Sequence, residues 1–178
     1  MTIARNTEMK DELVLVDIFD RPVGSAEKLW VHQHDRLHRA FSVFIIHGDE
    51  MLLQRRSPEK YHSGGLWANA CCSHPRIGEA LNEAVSRRMK EELGIKAPVS
   101  ELFHFVYRSV FDNGLSEYEY DHVFLADYYG ELNVDEDEIS ETRWVSFDHL
   151  RRELVENPER FAAWFLIAAP RVLELIER

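Results

Sequence analysis

Apolar residues along this chain follow two rhythms, one of period two and one of period 3.6, and the changes between them outline its elements. Residues 12–19 set Leu13, Leu15, Asp17 and Phe19 against Val14, Val16 and Ile18, and the β-branched content predicts a strand. Two apolar runs, 41–46 and 51–54, flank His47-Gly48-Asp49-Glu50, which reads as a β-hairpin. Over 79–93 the period changes: Leu81, Ala84, Val85, Met89 and Leu93 recur at helical spacing, and Gly94 stands where a C-cap glycine belongs. Segments 103–110 and 118–129 predict strands around the turn Asp112-Asn113-Gly114, and 142–145 predicts a short one. Two helices close the chain, 146–156 and 158–177, the second bent at Pro170. Strands interleaved with few, unevenly placed helices favour an α/β or α+β sandwich over a doubly wound sheet. With no repeat, low-complexity tract or Gly/Ser-rich linker, residues 1–178 read as one domain, its polar first ten residues frayed.

Charge narrows the function classes. The chain carries 21 Lys+Arg against 32 Asp+Glu, a net charge of −11, which argues against nonspecific binding to nucleic acid or an anionic membrane surface. Hydrophobic residues at 45% exclude a disordered chain. The apolar stretch 161–169 is too short to span a bilayer, and residues 1–20 lack the basic start and apolar core of a signal peptide. Cys71 and Cys72 are adjacent, a spacing that strains a disulfide, so two free thiols in a reducing cytoplasm are expected.

Four clusters carry candidate chemistry. On the helix, Arg87, Arg88, Glu91 and Glu92 share one side: either a solvated face laced with ion pairs, or carboxylates for a hard cation beside arginines for phosphate. His32, His34 and His38 crowd together, and His74 follows Cys72 by two. Glu117 and Glu119 point to one face of a strand, since side chains alternate. Imidazoles and carboxylates together suit Zn²⁺ or Mn²⁺. Cys72 is either a small core residue or a thiol tuned by its surroundings. Trp67 and Trp164 default to core aromatics, although a tryptophan face also stabilises a cation, and Tyr107 defaults to a strand residue with a hydrogen-bonded hydroxyl.

The runs Leu37-His38-Arg39-Ala40-Phe41-Ser42-Val43-Phe44 and Trp67-Ala68-Asn69-Ala70-Cys71-Cys72-Ser73-His74-Pro75, with Glu117-Tyr118-Glu119, resemble type I isopentenyl-diphosphate Δ-isomerases of the Nudix superfold over about residues 14–168. The resemblance implies an α/β/α sandwich with a mixed sheet and additional N- and C-terminal elements. It implies a metal site at His32, His38, His74, Glu117 and Glu119, with His34 as the competing first ligand. It implies catalytic Cys72 and Glu119 with Tyr107 alongside, and Trp164 facing the reacting carbons. Glu92 would help bind Mg²⁺ carried by the substrate diphosphate, which Lys28, Arg56, Lys60 and Arg88 would meet. The Nudix signature is imperfect: Glu79, Arg87, Glu91, Glu92 and Gly94 fit, but Ser73 replaces its opening glycine and Arg88 the glutamate after its arginine.

Three functions follow. The first is a cytoplasmic isomerase interconverting isopentenyl and dimethylallyl diphosphate, a monomer or weak homodimer with no nucleic-acid or membrane partner. The second is a Nudix diphosphohydrolase, which the loss of a carboxylate to Arg88 weakens. The third is a binding protein that keeps only the fold. The charge also reads differently now: residues 28–90 hold 10 Lys+Arg against 6 Asp+Glu, so a basic segment lies inside an acidic chain. A small diphosphate with Mg²⁺ is compatible with that segment.

Overall fold

The alternating run that opens the described chain, residues 12–177 of a computed structural model, pairs with a strand that its own pattern does not announce. The fraying expected of the first ten residues lies outside the described residues. Strand β1 (Glu12–Val16) stops three residues early, because the Asp17 carboxylate accepts N–H groups from Phe19 at 2.9 Å and Arg21 at 3.1 Å and turns the chain. It returns as β2 (Pro22–Glu27), an exposed strand lacking apolar alternation, and runs into the six-residue helix α1 (Lys28–Gln33).

Strands β3 (His38–His47) and β4 (Glu50–Arg56) form the expected hairpin around Gly48-Asp49. Two three-residue strands follow, β5 (Trp67–Asn69) and β6 (Cys71–Ser73). Helix α2 (Leu81–Leu93) begins two residues late, since Glu79 uses its carboxylate to accept the Arg76 N–H at 2.8 Å. It ends at Gly94 with φ +71°, where an added Cβ would lie 2.8 Å from the Asn133 Cβ. Strands β7 (Ser100–Val110), β8 (Ser116–Asp127) and β9 (Ile139–Ser146) precede helix α3 (Phe147–Glu156).

The last helix is shorter than expected. A 3₁₀ turn (Pro158–Arg160) gives way to extended backbone at Phe161, the Ala162 N–H donates to the Trp67 carbonyl at 2.9 Å, and only then does α4 (Ala163–Ile176) begin, with Pro170 inside it. This detour ties the C-terminal helix to β5.

The sheet is mixed. β3 runs antiparallel to β1, β4 and β6 and parallel to β8, β8 is antiparallel to β7, and β4 is antiparallel to β5 and β9. One apolar layer packs α3 and α4 on one face around Phe44, Leu53, Val123 and Phe165. The other packs α2 around Phe41, Val43, Ile45 and Phe124. Helices thus cover both faces, the expected α/β/α sandwich. Alternation sends the adjacent cysteines apart: Cys71 joins the α2 layer, and Cys72 faces the other side. Among the described residues no helix is long and apolar enough to cross a membrane.

Candidate active site

Strand register assembles most of the site. In the parallel β3–β8 pair His38 stands opposite Glu119, and in the β7–β8 pair Tyr107 stands opposite Glu119 and Ser109 opposite Glu117. Helix α1 brings His32 over this row, and the end of β6 brings Cys72 and His74. One ring nitrogen from each of His32, His38 and His74 lies within 4.8 Å of the others. His32 Nδ1 lies 2.8 Å from the Ser116 carbonyl and His38 Nδ1 2.8 Å from the Arg36 carbonyl, which turns both Nε2 atoms inward. His74 Nε2 lies 3.0 Å and His38 Nε2 3.5 Å from Glu119 Oε1. His38 Nε2 is buried with no hydrogen-bond partner among the described residues. His34 takes no part: it is exposed and stacks on Trp30 at 4.3 Å.

Tyr107 joins the two carboxylates. Its hydroxyl lies 2.7 Å from Glu119 Oε2 and 2.9 Å from Glu117 Oε2, so one proton serves two acceptors. Burial, with both glutamates beside it, pushes the Tyr107 hydroxyl pKa well above its ordinary value. Burial alone would also raise Glu119, but contact with His38 and His74 outweighs it and holds this carboxyl well below the usual range. Burial lowers His32 to about 3 and His74 to about 4, so both imidazoles are neutral at pH 7.

Cys72 lines the same pocket as Glu119. Burial pushes its thiol up to about 12 against the pull of Arg56, whose Nη1 lies 3.7 Å from Sγ, so the thiol keeps its proton at neutral pH. The Arg56 guanidinium also sits 5.1 Å from the Trp164 ring centroid. Its Nε is buried without a hydrogen-bond partner among the described residues. The Trp164 indole is fixed by its N–H to Asn69 Oδ1 at 2.9 Å, and Asn69 is held by the Val43 and Cys71 carbonyls.

A basic rim closes the other side. Lys28, Lys60 and Arg88 line the pocket with Glu138, and Lys60 and Glu138 form an ion pair. The four helix residues are linked through Glu91, which accepts from both Arg87 and Arg88, the latter at 2.8 Å. Arg87 forks onto Glu79 at 2.7 and 2.9 Å and reaches Glu91 at 3.2 Å, while Arg88 turns inward, donating to Glu92 Oε1 at 3.0 and 2.5 Å. Glu92 is buried behind Arg88, and on this side the carboxylate at the pocket surface is Glu138. Burial raises the Glu92 carboxyl, although Arg88 opposes the shift.

Three participants escaped the sequence reading. Glu138 belongs to the irregular stretch before β9. His62, in the loop after β4, stacks on Phe111 at 4.6 Å and places Nε2 2.8 Å from Glu117 Oε1. Asp121 accepts the Ser42 hydroxyl at 2.8 Å, and burial beside Glu119 raises its carboxyl well above the usual range. Only Asp121 left a signal, as the next residue in register after Glu117 and Glu119 on one face of β8.

Comparison with known proteins gives the chain a family and a fold. A NUDIX domain model matches residues 36–165. A Photorhabdus laumondii protein named isopentenyl-diphosphate Delta-isomerase 2 is 46% identical, covering 88% of this chain and 89% of its own. An Aromatoleum aromaticum protein of the same name is 42% identical over 93% of this chain and 88% of its own. The chain belongs to the isopentenyl-diphosphate Delta-isomerase family. Its isomerase-family backbone resembles solved structures of low identity: DR0079 from Deinococcus radiodurans (TM-score 0.76, 22% identical, 90% of this chain and 98% of that one) and a MutT protein from Methanosarcina mazei (0.64, 21%, 80% and 96%). Lys28 and His32 lie N-terminal to the matched NUDIX segment. This isomerase-family chain therefore completes its pocket with helix α1, an element outside that segment.

Proposed function

We propose that this enzyme interconverts isopentenyl and dimethylallyl diphosphate by adding a proton to one carbon and removing a proton from another. The observation that carries the reading is Cys72 and Glu119 lining one pocket, the first protonated and the second ionised at neutral pH. An unactivated alkene is a poor base and takes a proton only from an acid held against it. The tertiary carbocation that forms reacts readily with water, so the site must exclude solvent. Cys72 and Glu119 act as acid and base, and they exchange these roles when the reaction runs the other way. Tyr107 keeps Glu117 and Glu119 in fixed relation. The Trp164 face stabilises the cation by roughly 1–2 kcal/mol in a dry site. Lys28, Arg56, Lys60 and Arg88 meet the diphosphate oxygens, and an Arg56 Nε with no hydrogen-bond partner among the described residues supports that role.

The histidine cluster fits a metal, because two inward-facing Nε2 atoms, one of them buried without a hydrogen-bond partner among the described residues, need a Lewis acid more than a proton. His32, His38, His74, Glu117 and Glu119 would hold Zn²⁺ or Mn²⁺, which when bound fixes the Glu119 carboxylate and lowers its proton affinity. Glu138, at the pocket surface, would meet Mg²⁺ carried by the diphosphate, and Glu92 behind it would join only with Arg88 turned aside. We place the enzyme in the cytoplasm, as one domain acting as a monomer or weak homodimer, with free Cys71 and Cys72 supporting a reducing compartment. The test is NMR of purified enzyme with Mg²⁺ and isopentenyl diphosphate. Allylic methyl proton signals should appear while the ³¹P diphosphate signals stay intact. Release of phosphate or a monophosphate would instead establish a diphosphohydrolase.

A further inference from the structure

Outside the pocket, the opposite face of the β7–β8 ribbon gathers a second set of metal-ligating side chains. His104 and His122 stand directly across from each other in the antiparallel register. In a regular strand Glu101 would face away from His104, because residues three apart point to opposite sides. A bulge between Glu101 and Phe103 absorbs one residue and turns Glu101 onto the histidines' face. Glu101 Oε1 then lies 2.7 Å from His122 Nδ1 and 3.9 Å from His104 Nδ1. One donor atom from each of the three residues lies within 4.8 Å of the others.

His122 is held from behind. Its Nε2 is 3.0 Å from Asp20 Oδ2, and Arg39 grips Asp20 by donating from Nε to Oδ1 and from Nη2 to the backbone carbonyl, both at 2.7 Å. Asp20 itself sits at φ +61°, a left-handed conformation that few side chains adopt. A neutral imidazole has one N–H, yet His122 meets a carboxylate at each nitrogen. In the tautomer whose proton is directed to Asp20, Nδ1 turns a lone pair toward the lone pairs of Glu101. A cation shared by the two makes that approach favourable. Carboxylate, imidazole and cation in line is the arrangement by which proteins orient histidine ligands.

We infer that Glu101, His104 and His122 bind a divalent transition-metal ion, Zn²⁺ foremost, with Asp20 orienting His122. Two imidazoles and one carboxylate suit Zn²⁺ better than the all-oxygen shells of Mg²⁺ or Ca²⁺, and leave a fourth position for water. Glu101 and His104 are exposed, so the ion enters directly from solvent. Once bound, it fastens the turn after β1 to the β7–β8 ribbon through Asp20.

The test is calorimetric titration of Zn²⁺ into holoprotein already loaded at the buried histidine site. Wild-type protein gives one further binding event per chain. Glu101→Gln and His104→Gln each weaken that event at least tenfold and leave the far-ultraviolet circular dichroism unchanged. Asp20→Asn, which preserves a left-handed backbone, weakens it roughly tenfold. Absence of a further event in the wild type, the result if His122 simply carries a proton between its two carboxylates, overturns the inference. So does a further event whose affinity the Glu101 and His104 substitutions leave untouched.

Discussion

Strand β8 carries two clusters of histidines and carboxylates back to back, and they differ in what surrounds them. On one face Glu117 and Glu119 meet Tyr107, His38 and His74 in a closed setting where every one of these side chains is buried or nearly so. On the other face His122 meets His104 and Glu101 at the surface. The donors are alike, but the buried set is cut off from water, and there the proton affinities of His32, His74 and Glu119 are strongly displaced. Composition therefore does not make the reactive site. Removal of water does, because burial penalises charge and lets a neighbour decide which group keeps its proton.

Substitutions should separate the two faces, and the largest effect is expected at the thiols. Cys72→Ala should lower kcat by roughly 10³-fold or more, the scale of a lost acid or base. Cys71→Ala, on the α2 side of the sheet, should stay within about tenfold of wild type. Steady-state assays of both variants measure the contrast, and equal losses would show that the wrong thiol has been assigned. Next in size is Tyr107→Phe, which removes the one proton shared by two buried carboxylates. An unsatisfied buried acceptor costs about 1–3 kcal/mol, so kcat should fall roughly 10- to 100-fold. A variant at wild-type rate would remove Tyr107 from the account.

Acid should also act through two histidines of the buried face. His32 and His74 fall from the ordinary 6.5 to about 3 and about 4 in the folded protein. Below pH 6.5 the unfolded chain therefore takes up protons that the folded chain refuses. The stability they contribute is complete above pH 6.5 and drains away as pH falls toward 4, by about 2 kcal/mol per imidazole at pH 5. Urea unfolding of the metal-free protein between pH 7 and 5 measures this, and a flat profile would contradict the burial of the pair. The smallest effect belongs to the outer face: Glu101→Gln with His104→Gln should leave kcat within about twofold of wild type, as is usual for exposed positions remote from the chemistry.

Legibility in the sequence follows the same division between strong local signals and long-range ones. Helix α2 was readable because five apolar residues keep helical spacing and Gly94 ends it, and the hairpin because Gly48-Asp49 separates two apolar runs. Strand β2 was not, since its residues are nearly all exposed and nothing forces an alternating pattern. Helix α1 and strands β5 and β6 are too short for any periodicity to register. The local pattern overextends the C-terminal helix because the pairing of Phe161 with Trp67 depends on a partner far away in the chain.

Among site residues, those in contiguous motifs, such as Cys72 and His74, or set two apart on one strand, such as Glu117 and Glu119, could be named from the chain. His62 and Glu138 occupy irregular segments, and only folding brings them to Glu117 and Lys60. Glu101 joins His104 only because a bulge breaks the strand's period, and no local pattern foretells a bulge.

The central claim is that the buried face of β8 and Cys72 exchange protons with the carbon skeleton of the substrate. The most direct measurement is turnover of isopentenyl diphosphate with Mg²⁺ in D₂O, followed by NMR or mass spectrometry of the product. The account predicts dimethylallyl diphosphate carrying deuterium from solvent, with little or none formed by Cys72→Ala. Unlabelled product, or cleavage of the diphosphate with the double bond unmoved, would contradict it.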